Sequence, residues 1–211
     1  MPNPDTELLD VLNDDGQPTG ITKPRSQVHL DGDWHRAIHI WVVRGQDLVL
    51  LQRRALTKDL EPGKLDVSVG GHYRAGELFI DAIREAEEEL GVTFRPGQLE
   101  YLHTVKSVRE YPDLDPPRLD REFQEVYVGR DDRPLDQFRL PPDEVDTVYE
   151  VPIAAAIELF EDGQYTAAAG FDAMSRPSNA VLHEDDLPSQ GRELHVEALQ
   201  SVLALLAATA E

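Results

Sequence analysis

Runs of β-branched and aliphatic residues, separated by turn-forming segments, recur along most of the chain. They lie at residues 7–12, 21–30, 36–43, 47–52, 65–69, 99–108 and 122–128. Two of these runs flank the turn-like Arg44-Gly45-Gln46, a separation that favours a hairpin or an adjacent pair of strands. The pattern therefore predicts a sheet built from several short strands.

Three segments have a helical period instead. From Phe79 to Leu90 the apolar residues are spaced by four, three and four positions, and Gly91 follows as a C-terminal stop. Two further helices are predicted at 150–160 and 192–208, and a long loop at 165–190. Helices interleaved with strands indicate an α/β fold in which a mixed central sheet lies between helices.

The length of 211 residues favours one domain. Residues 1–30 are predicted to form N-terminal strands that pack on the core, 31–165 the main body, and 166–211 a loop and C-terminal helix of the same domain. The apolar face of that helix must be buried against something, and a homodimer is one way to cover it.

The composition excludes several classes of protein. Apolar residues make up 40% of the chain and charged residues 29%, which is typical of a globular protein. No apolar run approaches the roughly 20 residues of a membrane-spanning helix, and the N-terminal segment lacks the basic start and apolar core of a secretory leader. The absence of cysteine excludes disulfides, thiolate metal sites and a cysteine nucleophile. We therefore expect a cytoplasmic protein without membrane association.

Acidic residues outnumber basic residues by 41 to 20, which gives a net charge of −21. Such a surface repels nucleic acid and anionic lipid, so no long nucleic acid is expected as a partner. A small anionic ligand can still bind where the few basic residues converge, or where bound cations neutralise the acids.

The densest group of acids lies on the helix at 79–90. At about 100° per residue, Glu85, Glu88 and Glu89 fall within an arc of roughly 100°, away from the apolar stripe. Like charges at these spacings repel by about 0.2–0.5 kcal/mol per pair, which a bound Mg²⁺ would relieve. A solvated acidic face is the alternative. The glycine-rich loop before the helix favours the metal, since the backbone of Gly70 can approach a cation closely.

Residues 70–92, GGHYRAGELFIDAIREAEEELGV, resemble the Nudix box. That pattern is Gly, five residues, Glu, seven residues, Arg-Glu, an apolar residue, any residue, Glu-Glu, any residue, Gly and an apolar residue. The matching positions are Gly71, Glu77, Arg84, Glu85, Ala86, Glu88, Glu89, Gly91 and Val92. Only six residues separate Glu77 from Arg84. The resemblance implies a Nudix-type α/β/α sandwich with a metal bound by the glutamates. Arg84 is expected to orient Glu85, and Glu77 is expected to support the ligands without binding the metal itself.

Residues outside the box, over about 7–160, resemble the Nudix branch that includes isopentenyl diphosphate isomerase. In that isomerase, histidines matching His29, His35 and His72 help to ligate a metal, a glutamate matching Glu125 acts at the reacting carbon, and basic residues matching Arg25, Arg54 and Lys58 hold the diphosphate. The isomerase also needs a cysteine where this chain has Gly70, and an acid where it has Phe123. The resemblance therefore implies the hydrolytic members of this branch.

We accordingly expect a Mg²⁺- or Mn²⁺-dependent hydrolase that cleaves the phosphoanhydride bond of a nucleoside diphosphate or a related organic diphosphate. The predicted catalytic residues are Glu88, Glu89 and Glu125, the predicted metal ligands are Glu85, Glu88, Glu89 and Gly70, and the predicted substrate-binding residues are Arg25, Arg54, Lys58 and His72. Glu122 competes with Glu125 for the role of extra ligand or base, and Arg54 is preferred to Arg53 because neighbouring strand residues face opposite ways. An isomerase acting by another route and a non-catalytic ligand-binding protein are the alternative functions.

Overall fold

The computed structural model describes residues 7–209, in which a mixed β-sheet lies between helices. The strands are β1 (Leu8–Leu12), β2 (Pro18–Pro24), β3 (Trp34–Arg44), β4 (Leu48–Arg54), β5 (Leu65–Asp66), β6 (Val69–His72), β7 (Leu99–Tyr111), β8 (Arg118–Arg130), β9 (Val145–Pro152), β10 (Thr166–Asp172) and β11 (Ala180–Leu182). The helices are α1 (Arg25–Asp31), α2 (Phe79–Ala82), α3 (Glu85–Leu90), α4 (Ile153–Asp162) and α5 (Arg192–Thr209). None of these helices is long and apolar enough to cross a membrane.

Strand β3 lies at the centre of the sheet. It pairs antiparallel with β1, β4 and β6, and parallel with β8. From β4 the sheet continues through β9 and β10 to β11, and β8 continues into a long hairpin with β7. One parallel pair among the antiparallel pairs of the described strands confirms the predicted mixed sheet.

Alternate residues of β3 face two different apolar cores. Trp41 and Val43 belong to the core beneath α4 and α5, whereas Ile40 and Val42 belong to the core beneath α3. A strand that is buried on both faces has a nearly continuous apolar sequence, which explains the clear strand signal at 36–43. Helices on both faces of the sheet confirm the predicted α/β/α sandwich.

The C-terminal helix α5 packs against α4 and β7 of the same chain. Its Leu199 and Val202 are fully buried in the core that contains Trp41. The chain itself therefore covers much of the apolar face for which a homodimer is one expected solution.

Two of the predicted elements are wrong. Residues 21–30 contain the end of β2 and helix α1, which follows Pro24 and ends at Gly32 in a left-handed conformation (φ 67°). Because α1 has only seven residues, it cannot display an apolar period, and its signals are the proline before it and the glycine after it. Residues 165–190 contain β10 and β11; the alanine-rich β10 has low strand propensity and is held by pairing with β9.

The carboxylate-bearing segment forms two short helices rather than one. α2 and α3 are separated at Ile83 and Arg84, and the amides of Arg84 and Ala86 bond to carbonyls three residues back, each at 3.2 Å. Bonding of this 3₁₀ type rises about 2.0 Å per residue, against about 1.5 Å in an α-helix. The chain therefore rises more steeply at the point where the connection from Glu77 to Arg84 is one residue short.

Candidate active site

A cavity of about 90 Å³ is lined by residues from the six strands β3 to β8, from the helices α1, α3 and α5, and from the loops between them. Charged and histidine side chains make up most of the lining, and the exceptions are Leu60, Leu65, Pro188, Gly70 and Gly71. Eight predicted site residues line it together: Arg25, Arg54, Lys58, Gly70, His72, Glu85, Glu88 and Glu89. The cavity is therefore the candidate active site.

The three glutamates of α3 differ in burial. Glu85 and Glu89 are only 8% and 3% exposed, whereas the side chain of Glu88 is 41% exposed. The acidic side of the helix therefore faces the cavity. The alternative of a solvent-exposed acidic face is wrong for Glu85 and Glu89.

Burial makes both of these carboxyl groups weak acids. It raises the pKa of Glu85 to about 7, although the neighbouring Arg84 opposes the change. It raises the pKa of Glu89 to about 8 against the opposing charge of Lys58, and the charge of Glu85 adds to this increase. Two buried acids that ionise near neutral pH mark a place where a cation would be bound favourably.

Two glycines of β6 bring the backbone close to these carboxyl groups. The amide of Gly70 donates to Oε2 of Glu89 at 3.0 Å. A Cβ atom at Gly71 would overlap the carboxyl group of Glu85, so only glycine permits this approach. At Gly70, by contrast, a Cβ atom would lie 3.3 Å from Val67 and 3.8 Å from His39, so only a small shift of the Val67 side chain is needed.

Arg84 joins the glutamates to Glu77. Its Nε and Nη2 donate to the two carboxylate oxygens of Glu77 at 2.9 and 2.8 Å, and its Nη1 pairs with Glu85. The same guanidinium lies 3.6 Å from Glu88. Despite the shortened connection, Glu77 therefore reaches the arginine with both oxygens, an arrangement that fixes the orientation of Arg84.

A second group of ligand-type side chains lies in the same cavity region. Nε2 of His35 is 3.6 Å from Oδ1 of Asp120 and 3.8 Å from Oε1 of Glu122. His29 and His72 complete the group, with Nε2 atoms 3.7 Å from Asp120 and 3.3 Å from Glu122, respectively. Burial lowers the pKa of His29 to about 4 and that of His72 well below its ordinary value, so both rings are neutral, as metal ligands must be.

Several polar atoms of this group face inward without a partner. Nε2 of His29, Nε2 of His35 and Oδ1 of Asp120 are buried and make no hydrogen bond with the described residues. Leaving such atoms unpaired costs about 1–3 kcal/mol each, so their convergence indicates a bound ligand.

Arg109 holds the two acids of this group from the other side. Its Nη2 lies 3.0 Å from Oδ2 of Asp120 and also pairs with Oε2 of Glu122, to which Gln124 donates at 2.7 Å. Although burial opposes ionisation, Arg109 and His72 hold the pKa of Glu122 well below its ordinary value. Each acid thus keeps one oxygen directed toward the histidines.

The two groups differ in how closely their ligand atoms approach. Among the described residues, the sets His29–His35–His72 and His35–Asp120–Glu122 each place their ligand atoms within 4.8 Å of one another. Among the described residues, Glu85, Glu88 and Glu89 do not form such a set, and Glu85 and Glu88 are instead paired with Arg84 and Arg74. The structure therefore contains preformed ligand groups for a divalent metal, and the histidine–acid group is the tighter one.

The basic residues of the cavity are each paired with an acid. Arg25 lies 3.4 Å from Glu7, Arg54 lies 2.9 Å from Asp66, and Lys58 pairs with Glu144. The neighbouring Arg53 faces away from the cavity, toward Asp186 at 2.8 Å. Arg54 rather than Arg53 is thus the arginine at the site, as the alternation along β4 predicts.

Glu125 is not at the site, which corrects the sequence prediction. It lies on the opposite face of β8, where Arg36, Tyr73 and Tyr127 donate to it at 2.6, 2.5 and 3.0 Å. Its competitor Glu122 lines the cavity. The two acids that the isomerases have two residues apart therefore correspond to Asp120 and Glu122. The resemblance had placed them three positions later, at Phe123 and Glu125.

The cavity residues that were not predicted include Asp66, Arg109, Asp120 and His195. The alternation of Asp120 and Glu122 along one face of β8 was a usable signal. His195 comes from α5, about 70 residues after β8, and no local pattern indicates its position.

Comparison with known proteins agrees with this geometry. Residues 33–170 match the model of the NUDIX domain family. The chain is 40% identical to Nudix hydrolase 3 of Arabidopsis thaliana over 150 residues, which are 69% of this chain and only 19% of that protein. It is 31% identical to an uncharacterised Nudix hydrolase of Clostridium acetobutylicum, over 85% of this chain and 89% of that protein. It is 32% identical to an isopentenyl-diphosphate Delta-isomerase of Streptomyces avermitilis, over 73% and 74%.

Solved structures share the fold. A crystal structure of a Deinococcus radiodurans protein has a TM-score of 0.57 and 23% identity, over 75% of this chain and 91% of that one. The MutT protein of Methanosarcina mazei has a TM-score of 0.52 and 16% identity, over 79% and 93%. The family match covers well over half of the chain, and the Clostridium relative covers most of it. The chain therefore belongs to the Nudix hydrolase family.

Proposed function

We propose that this Nudix hydrolase uses a divalent metal to cleave the phosphoanhydride bond of a small organic diphosphate. The observation that carries the proposal is a pair of buried carboxyl groups, Glu85 and Glu89, in one cavity with the basic side chains of Arg25, Arg54 and Lys58. Acids with raised pKa values are suited to hold a cation, and the basic residues are suited to hold the anion that comes with it.

The donor atoms fit divalent metals of two kinds. Glu85, Glu88 and Glu89, with the backbone of Gly70, offer the oxygen ligands that Mg²⁺ or Mn²⁺ accepts. The histidine–acid group offers three ring nitrogens and two carboxylate oxygens, a set that suits Mn²⁺ and other transition metals better than Mg²⁺. When bound, such a cation would offset the charge of the diphosphate and polarise its phosphorus–oxygen bonds.

The side chains of the cavity can bind and orient the diphosphate. Arg54 donates through Nη1 to Asp66 and through Nε to the Leu60 carbonyl, and its Nη2 makes no hydrogen bond with the described residues. That group and the ammonium of Lys58 are therefore the donors proposed for non-bridging phosphate oxygens. Arg84, fixed by Glu77, is proposed to keep Glu85 in place.

Glu89 is the proposed proton acceptor for the attacking water. Both of its hydrogen bonds, from Gly70 and Gln52, reach Oε2, so Oε1 is free to accept a proton. Without metal, burial raises the pKa of Glu89 to about 8, which is close to the range in which a general base is most effective. A bound cation would favour the ionised form, which accepts the proton. Glu122 takes the place that sequence reasoning gave to Glu125.

The lining favours an organic diphosphate without a nucleobase. No phenylalanine, tyrosine or tryptophan of the described chain lines the cavity. Stacking of a base on an aromatic ring contributes about 1–3 kcal/mol, and this cavity offers no such ring. Of the two substrate classes expected from the sequence, we therefore favour the related organic diphosphates.

An isomerase-like activity is the second candidate. The histidine–acid group and the likeness to the Streptomyces isomerase favour it. Gly70 opposes it, since glycine cannot deliver a proton to carbon where the isomerases resembled in the sequence have a cysteine.

A metal-dependent turnover screen tests the proposal. The full chain is incubated with Mg²⁺ or Mn²⁺ and a panel of nucleoside, sugar and isoprenoid diphosphates, and both phosphate release and double-bond isomerisation are measured. We expect phosphate release that EDTA abolishes, loss of activity in Glu89→Gln, and full activity in Glu87→Gln, an exposed glutamate of the same helix. Isomerisation without phosphate release would favour the second candidate, and full activity in Glu89→Gln would refute the role given to Glu89.

A further inference from the structure

Helix α5 brings a histidine to the cavity from outside the segment that matches the family. His195 lies 25 residues beyond the end of the 33–170 match and is 8% exposed. Its ring stacks on Phe160 with centroids 4.7 Å apart and meets the edge of Trp41 at 5.8 Å. The ring is therefore held in one orientation by packing on two sides.

Both ring nitrogens of His195 face hydrogen-bond acceptors. Nδ1 lies 3.1 Å from the carbonyl oxygen of Gly191, and Nε2 lies 3.1 Å from Oδ1 of Asp66. The ring donates to Asp66 when Nε2 carries a hydrogen. Because the acceptor is a carboxylate, this hydrogen bond is charge-assisted.

Asp66 also binds Arg54, so it connects His195 to the arginine. Its Oδ1 accepts from His195 and from the amide of Val67 (2.8 Å), and its Oδ2 accepts from Nη1 of Arg54 at 2.9 Å. Burial opposes ionisation of Asp66, but the hydrogen bond from His195 and the charge of Arg54 hold its pKa well below the ordinary value. The carboxylate is thus fixed at both oxygens, between the helix and the arginine.

We infer that His195 is a positioning residue, which holds Asp66 and through it directs the guanidinium of Arg54 toward the diphosphate. This inference rests on the proposed function, in which Arg54 binds phosphate oxygens. It makes the C-terminal helix part of the active site rather than only a cover for the core.

The inference is tested with methylenediphosphonate, a diphosphate analogue whose P–C–P bridge is not hydrolysed. Its dissociation constant is measured by calorimetry on the full chain with Mg²⁺, and folding of each variant is checked by circular dichroism. His195→Phe keeps the ring that stacks on Phe160 but removes the donor to Asp66, so we expect binding to weaken about tenfold, the loss of one charged hydrogen bond. His195→Gln keeps a donor and is expected to recover part of the affinity. Gln200→Phe, on the exposed face of the same helix, is the matched control and is expected to bind normally.

A test of coupling separates positioning from packing. If His195 acts through Arg54, His195→Phe has little further effect on binding once Arg54 is lysine, because the two changes are not additive. Asp66→Asn breaks the same connection from the other side and serves if His195→Phe does not fold. Additive losses, or unchanged binding in folded His195→Phe and Asp66→Asn, would overturn the inference, as would no binding of the analogue by the wild type. Coupled loss of binding in a chain that hydrolyses none of the tested diphosphates would support the inference and reject the proposed reaction.

Discussion

Replacing Glu89 by glutamine should stabilise the metal-free protein at high pH while removing its activity. Burial raises the pKa of Glu89 from 4.5 to about 8. Between these two values the folded state retains a proton that the unfolded state has lost, so the free energy of unfolding falls as pH rises through this window. At about 1.4 kcal/mol per tenfold change in the proton dissociation constant, the ionised carboxyl group costs the folded protein about 5 kcal/mol above pH 8, as an upper limit.

The substitution preserves the contacts of the side chain. Both hydrogen bonds to Glu89 reach Oε2, from Gly70 and from Gln52 at 3.0 Å each, and the amide oxygen of glutamine can take that position. Relaxation and water entry reduce the gain, and removal of one charge also lets Glu85 ionise more easily. We therefore expect a gain of about 3 kcal/mol at about pH 9, or a rise in Tm of about 6–12 °C.

Urea unfolding followed by tryptophan fluorescence, with EDTA present, measures this effect at about pH 4.5 and about pH 9. Near pH 4.5 the two proteins should differ by less than about 0.5 kcal/mol, because the carboxyl group is then protonated in the folded state and about half protonated in the unfolded state. Glu87→Gln, on the exposed side of α3, should change stability by no more than about 0.5 kcal/mol at either pH. A Glu89→Gln protein that is less stable than wild type at about pH 9 would refute the reasoning, since the ionised group would then be fully compensated without metal.

Three further outcomes are expected. His35→Ala should weaken Mn²⁺ binding, measured by calorimetry, about 10–100-fold, because it removes the member shared by both ligand sets. Gly71→Ala should lower the free energy of unfolding by about 1–3 kcal/mol, because the new Cβ atom overlaps the carboxyl group of Glu85. Gly70→Cys, whose Cβ atom needs only a small shift of Val67, should change it by less than about 1 kcal/mol in a urea titration. Glu122→Gln should lower kcat/KM at least about 100-fold, whereas Glu125→Gln should lower stability and leave kcat/KM within about threefold; the reverse order would restore Glu125 to the site.

Elements with strong periodicity could be predicted from the sequence. Residues of β3 are buried alternately in two cores, and one face of α5 is buried. Because buried positions carry apolar residues, both patterns are visible in the sequence. Helix α1 and strand β10 could not be predicted in this way. One is too short to show a period, and the other is an alanine-rich strand that is held by β9 rather than by its own propensity.

In the candidate site, too, residues of one local motif could be predicted, whereas features that depend on distant elements could not. Glu85, Glu88 and Glu89 were identified because they lie within one short motif. The burial that separates Glu88 from the other two depends on β6 lying against α3, which no local pattern records.

Residues from distant strands were harder to place. The resemblance to the isomerases favours Glu125 over Glu122, and the sequence of β8 alone does not show which face of the strand meets the other elements. That choice is settled by the pairing of β8 with β3, where Glu122 lies beside His35.

Because α2 and α3 are separate helices, the positions of the glutamates in α3 do not depend on the number of residues that precede them in α2. After the turn at Ile83 and Arg84, Glu85 and Glu89 still meet Gly71 and Gly70 of β6, although the connection from Glu77 is one residue short. A search pattern that demands seven residues between the first glutamate and the arginine would pass over this chain. The ion pair between Glu77 and Arg84 identifies such a segment better than the residue spacing does, because the pair forms here although one residue is missing.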